Sequence, residues 1–211
     1  MRSRYHRHSI FCILPPHVLR SIAQHGQPQQ RAEAAATLAK DNTFRAMRLA
    51  GSLAPRGARL TGMSFAPEGQ KTRNIYDARH TQELPGQLMR AEGGEASADA
   101  AVNEAYDGLG ATFDFFWEVF ERHSIDDDGK ILDASVHFSN NYDNAFWDGS
   151  RMVFGDGDGE LFNRFTICLD VIGHELTHGV TEDEAKLVYF NQSGALNESA
   201  SDVFGSLIKQ Y

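Results

Sequence analysis

An α+β fold is predicted by three features of this 211-residue sequence. A long stretch from Ser97 to His123 repeats apolar and aromatic residues at helical spacing, through Val102, Tyr106, Leu109, Phe113, Phe116, Trp117 and Phe120. Two further helical segments near the end carry histidines and carboxylates instead. Between these helices lie short runs with the alternation and turn residues of strands.

The elements follow in chain order. The start is basic (Arg2, Arg4, Arg7), with His6 and His8 read as a solvated tail. The apolar run Ile10–Leu14 is too short for a secretory signal and meets Pro15-Pro16. Arg20–Gly26 reads as a helical turn closed by glycine, and Gln29–Arg48, rich in Ala, Leu, Arg and Glu, as a helix. Ala50 through Gly69 collects Gly, Pro and Ser and reads as a linker. Asn74–Ala78 is expected to open the next unit as a strand. Ser97 is the expected N-cap of the long helix. Ile131–Phe138 alternates, with Ala134, Val136 and Phe138 on one face. Asn144–Trp147 and Arg151–Phe154 flank Asp148-Gly149, a strong hairpin signal.

Asp126–Gly129 and Asp156–Gly159 resemble calcium loops, but neither meets the EF-hand register. From Asp156 the sixth position is Leu161 and the twelfth Ile167; from Ser124 the twelfth is Ser135. Both are read as acidic turns. Cys168, in the apolar run Phe165–Leu169, is expected in the core. Two cysteines cannot build a disulfide framework. A formal net charge of −9 argues against a nucleic-acid partner, and no run is long enough to span a membrane.

Chemistry concentrates in Val171–His178. Residues four apart on a helix share a face, so His174 and His178 can grip one ion, half of a tetrahedral zinc site. Glu175 lies beside them, placed to reach a metal-bound water as general base in the H-E-x-x-H pattern. Gly194–Asp202 lies on a second amphipathic helix, with Leu196, Ala200, Val203, Phe204 and Leu207 at helical spacing and Glu198 and Asp202 on the opposite side. Glu198 is read as the third zinc ligand and Asp202 as the acceptor of a ligand imidazole N–H. The competing reading of this pair is a solvated acidic face.

His-Glu-Leu-Thr-His-Gly-Val followed by Gly-Ala-Leu-Asn-Glu-Ser-Ala-Ser-Asp resembles the thermolysin-like zinc metallopeptidase family. The resemblance implies a zincin-like fold: a mixed or antiparallel sheet with long helices. It implies Zn2+ held by His174, His178 and Glu198, with Glu175 as catalytic base. The Asn-Ala-Phe-Trp strand matches the family's cleft-lining strand, so Asn144, Ala145 and Trp147 are the expected substrate-binding residues. An edge strand can pair with any extended peptide, which agrees; on structure alone they would be an ordinary hairpin arm. Tyr189 matches a family tyrosine near the scissile carbonyl, and a buried core tyrosine is the alternative.

The Pro15-Pro16-x-x-Leu19 stretch resembles the short propeptide of the protealysin-type branch. Residues 1–60 are thus expected to be propeptide and linker, and residues 61–211 the N-terminal catalytic domain with both zinc helices. The chain's own propeptide would cover the cleft until cut away in the linker; a helical appendage without inhibitory role is the other reading. Cys12 adds a sharper expectation, a thiolate latch on the open zinc position, against a small hydrophobe packed beside Ile13.

The family's helical C-terminal domain, which supplies an oxyanion-stabilising His, is expected to be missing from this chain, whether as a fragment or as a natural truncation. This leaves 211 residues that bind zinc weakly and cleave poorly. Asp170 matches one ligand of a family double-calcium site, but Lys209 stands at its bridging position and would repel Ca2+. The function expected is therefore a zinc metalloendopeptidase, made as a zymogen, acting on proteins or peptides. A truncated, non-catalytic zinc-binding or interaction module is the alternative. The resemblance implies secretion without a visible signal peptide, and leaves a cytoplasmic pool open.

Overall fold

The computed structural model describes residues 14–53, 66–185, 187 and 191–211. Cys12 and Tyr189 lie outside them, as does most of the expected linker. Helices α1 (Pro16–His25) and α2 (Pro28–Leu53) come first. Strands β1 (Arg73–Asp77) and β2 (Gln87–Ala91) precede helix α3 (Ala100–Phe120). Then come β3 (Leu132–Val136), the hairpin β4 (Ala145–Trp147) and β5 (Met152–Phe154), and helices α4 (Leu169–Glu184) and α5 (Asn191–Gln210).

The sheet order is β2-β1-β3-β5-β4, so β4 lies at an edge. Strands β1, β3 and β5 are parallel neighbours, while β1/β2 and β4/β5 are antiparallel. The main core joins Val102, Ala105, Leu109 and Phe113 of α3 to Ile75, Ala134, Val136, Met152 and Phe154 of the sheet and to Ile172 and Leu176 of α4. The aromatic stripe of α3 is thus structural through Tyr106, Phe113, Phe116 and Trp117, while Phe120 at the end of the helix is exposed.

Several details differ from expectation. The N-cap of α3 is Asp99, which accepts the Ala101 N–H at 2.9 Å; Ser97 Oγ instead accepts the Asp99 N–H at 3.1 Å. Strand β3 stops at Val136 because His137 turns to φ 55°, off the extended path. Phe138 therefore joins a second cluster with Tyr142, Phe146 and Val153. Helix α2 runs to Leu53, past the expected linker start at Ala50. Cys168 is exposed rather than in the core: the apolar run winds into a 3-10 turn (Phe165–Ile167), leaving Cys168 at the cap of α4.

The largest difference is in α5. Its buried positions include Gly194, Asn197, Ser201, Gly205 and Ile208, whereas Leu196, Val203 and Leu207 are exposed. Phe204 of the expected stripe does pack inward, stacked on Phe116. The reason is the approach of α4. A Cβ on Gly205 would lie 2.5 Å from the Asp170 carbonyl oxygen and 3.0 Å from the His174 nitrogen. Backbones this close accept only small residues, which displaces the apolar stripe outward.

Helix α2 is seated on the segment before β4. Asn141 Nδ2 donates to Glu33 at 2.8 Å, Asp143 N–H to Thr37 Oγ1 at 3.3 Å, and the Tyr142 hydroxyl to Asp41 at 2.5 Å. Leu14 packs against the main core.

Gly205→Val is expected to destabilise the chain toward the upper end of about 1–3 kcal/mol, since the clash is with backbone. Denaturant unfolding measures this. An unchanged midpoint would mean that the helices do not approach as described.

Candidate active site

Helix α4 turns His174 and His178 toward α5, and both rings are buried. Their Nε2 atoms are 3.0 Å apart. Glu198 reaches across from α5, with Oε2 3.4 Å from His174 Nε2 and Oε1 3.8 Å from His178 Nε2. Ligand atoms bound at 2.0–2.1 Å in a tetrahedron are spaced about 3.3 Å apart. The three side chains are therefore set at a metal's bite.

The far side of each ring reinforces this. His178 Nδ1 is 2.6 Å from Asn197 Oδ1 and 3.0 Å from Ser201 Oγ. His174 Nδ1 is 3.0 Å from an Asp202 carboxylate oxygen. An amide oxygen and a carboxylate can only accept, so each ring carries its proton on Nδ1 and turns the Nε2 lone pair inward. Two inward lone pairs beside a buried carboxylate oxygen that lacks a hydrogen-bond partner, Glu198 Oε1, call for a cation. The donor set, two imidazoles and a carboxylate, fits zinc.

The electrostatics agree. Burial pushes the Glu198 carboxyl up, against the pull of His174. For His174, burial works against the charged ring, but the nearby carboxylates of Glu198, Glu175 and Asp202 outweigh it and raise the pKa. The pocket draws positive charge.

Glu175 is fully buried, and its Oε2 accepts the Trp147 N–H at 3.0 Å. That bond joins α4 to the edge strand β4 and brings two expected site residues together. Asn144, Ala145 and Trp147 are buried. Asn144 Oδ1 accepts the backbone N–H groups of Leu14 at 3.1 Å and Ala145 at 3.0 Å, and its Nδ2 donates to Asp41 at 3.1 Å. Of the expected substrate residues, Asn144 thus lies beneath the N-terminal segment, bonded to Leu14 and to Asp41 of α2.

Next to them, burial, with the charges of Asp158 and Glu33, pushes the Asp143 carboxyl up to about 7. Near the start of α4, Lys209 donates to Asp170 at 2.8 Å.

Asn197 and Ser201 were missed from the sequence. Their signal is the spacing of Gly194, Asn197, Ser201, Gly205 and Ile208 at three and four residues, a small and polar stripe that marks the close-packed face.

A model of the thermolysin metallopeptidase catalytic domain matches residues 59–182, more than half of the chain, and one of the thermolysin metallopeptidase alpha-helical domain matches residues 185–211. An extracellular metalloprotease of Pectobacterium carotovorum subsp. carotovorum is 51% identical over 202 residues, 96% of this chain and 56% of that protein. A bacillolysin of Bacillus cereus is 49% identical over 144 residues, 64% of this chain and 24% of that protein. The solved precursor of protealysin, a metalloproteinase from Serratia proteamaculans, superimposes with a TM-score of 0.81 at 50% identity, covering 94% of this chain and 55% of that one. The chain spans about half the length of the relatives it matches from end to end. With the catalytic-domain model matched over 59–182 and that precursor sharing its fold, the chain belongs to the thermolysin metallopeptidase family.

Proposed function

We propose that the protein bearing this chain is a zinc metalloendopeptidase held as a zymogen by its N-terminal helices. The observation that carries this is the inward-facing pair of Nε2 atoms with Glu198 across them and Glu175 beside them. His174, His178 and Glu198 would hold the zinc. When bound, zinc supplies a Lewis acid that lowers the pKa of water and polarises a carbonyl. Asp202 and Asn197 hold the two imidazoles in the ligating tautomer.

Glu175 takes a proton from the attacking water and delivers it to the leaving nitrogen. An extended peptide lies along the edge of β4, where Asn144 and Ala145 meet its backbone. Tyr189 is the further residue proposed to meet the substrate near the scissile carbonyl. The relative from Pectobacterium is named as extracellular, which supports secretion.

In the zymogen, Asp41 and Leu14 satisfy Asn144, as a substrate would otherwise do. Residues 1–60 are the inhibitory segment and residues 61–211 belong to the catalytic part. A Cys12 thiolate on the metal would strengthen the block. The exposed stripe of Leu196, Val203 and Leu207 on α5 is the surface on which further helices of the enzyme pack. Lys209, paired to Asp170, sets a cation beside this carboxylate, which argues against calcium there.

Glu175→Gln in the product of the whole gene is expected to cut casein hydrolysis by about 10²–10⁴-fold while zinc stays bound. Retained hydrolysis would remove Glu175 from the mechanism. In this chain, His178→Ala is expected to abolish zinc retention at the site, as measured by metal content.

The seat of the N-terminal helices should depend on pH. Asp143 titrates near 7 when covered and nearer its ordinary 3.8 when released, so the seated form binds the extra proton. Seating therefore weakens as pH rises from about 4 to about 7 and is level above that. Limited proteolysis of α1 and α2 at pH 5 and pH 8 measures the difference, and Asp143→Asn should flatten it. Equal protection at both pH values in the unaltered chain would refute the assignment.

A further inference from the structure

Three histidine and aspartate side chains meet at a second place, away from α4 and α5. Strands β1, β3 and β5 are adjacent and parallel, so their carboxyl ends emerge side by side. His80 lies in the turn after β1, His137 directly follows β3, and Asp156 follows β5 by two residues. A ligand atom from each lies within 4.8 Å of the others. The carboxyl ends of neighbouring parallel strands are where ligands gather in open sheets.

We propose that His80, His137 and Asp156 form a second site for a divalent transition-metal ion such as zinc or nickel.

The geometry gives each residue its part. His137 Nε2 is 2.7 Å from Asp99 Oδ2, and a carboxylate accepts, so that nitrogen carries the proton. Asp99 is itself fixed by the Ala101 N–H at the start of α3. A carboxylate behind an imidazole is the arrangement that orients a metal-ligating histidine and raises its basicity. His137 Nδ1 faces Asp156, 2.9 Å from both of its oxygens, so without an ion it too carries a proton and the ring titrates high, at about 9, held by Asp156 and Asp99. His80 Nδ1 approaches the same carboxylate at 3.5 Å. An ion between His137, His80 and Asp156 replaces the His137 Nδ1 proton, which is released to solvent, and two nitrogens with one oxygen suit the borderline ions rather than calcium or magnesium.

The backbone presents the two histidines as a pair. The His80 N–H donates to the His137 carbonyl at 2.8 Å, and both residues adopt left-handed conformations, φ 56° and 55°. His80 is 54% exposed, so an ion can enter from solvent and keep water on its remaining positions.

The site would tie three loops together. The Asp156 segment is bonded to the wall beneath the N-terminal helices, through Gly155 N–H to the Asn144 carbonyl at 2.9 Å and Gly157 N–H to the Tyr142 carbonyl at 3.2 Å. An ion here stiffens that wall from behind without touching the His174–His178–Glu198 group.

The test compares metal equivalents bound by the whole chain. Metal-stripped chain is reloaded with Zn2+, desalted and weighed by native mass spectrometry, with the thermal shift on adding Ni2+ as a second readout. His80→Asn is the main variant, because Asn tolerates the left-handed backbone and the position is solvent-exposed. Asp156→Asn is the second. Each is expected to bind one equivalent fewer than the unaltered chain, and to show a smaller Ni2+ shift, while keeping the equivalent that His178→Ala removes. A full complement of metal and an unchanged shift in His80→Asn would overturn the proposal. Loss of all bound metal on His178→Ala alone would also overturn it. Failure of the α4–α5 site leaves a different signature, with the His178-dependent equivalent missing and the His80-dependent one present.

Discussion

The contact between α4 and α5 is the constraint on which the candidate active site depends. Glycines at 173 and 205 let the two helices approach until one backbone nearly touches the other. Only at that distance can Glu198 reach two rings on another helix, and Asn197 and Asp202 reach the far nitrogens of those rings. Bulkier residues at the seam would move all four contacts together. Packing, in the sense of excluded volume between main chains, precedes the chemistry.

The same seam accounts for the look of α5. Its leucines and valine face outward because the inner face is taken by glycine, asparagine and serine. Those polar residues are buried without penalty where they have partners: Asn197 and Ser201 both meet His178 Nδ1. At the other side of the site, the N-terminal helices satisfy Asn144 in a comparable way, through Asp41 and the Leu14 backbone. Asn144, Asn197 and Ser201, on the two sides of the site, are thus held by named neighbours.

Much of this was legible in the sequence because it depends on local spacing. His174 and His178 share a helical face by arithmetic, the Asp148-Gly149 turn announces its hairpin, and the α3 stripe packs in the core as far as Trp117, with Phe120 exposed. What was hidden depends on tertiary distance. Hydrophobic spacing assigns the buried face of a helix to its apolar residues, and fails where backbones touch, as on α5. The end of β3 escaped because one residue, His137, takes a left-handed turn that alternation does not record. His80, His137 and Asp156 are far apart along the chain and meet only because three strands run parallel, which no local pattern reports. Cys168 was misplaced because an apolar run can end a loop as well as fill a core.

One bond has a consequence for how the molecule tolerates change. Glu175 is held by the main-chain N–H of Trp147, and Trp147 is held opposite Met152 by the hairpin register. Strand side chains and amides alternate with a period of two, so a register slip by one residue presents the opposite edge of the chain. The exposed turn Asp148–Arg151 sets that register. An insertion or deletion of a single residue there would re-aim the amide that meets Glu175, though no residue of the candidate centre had been altered. Loop length is usually the most forgiving property of a surface; at this turn it is as demanding as the identity of a buried glutamate.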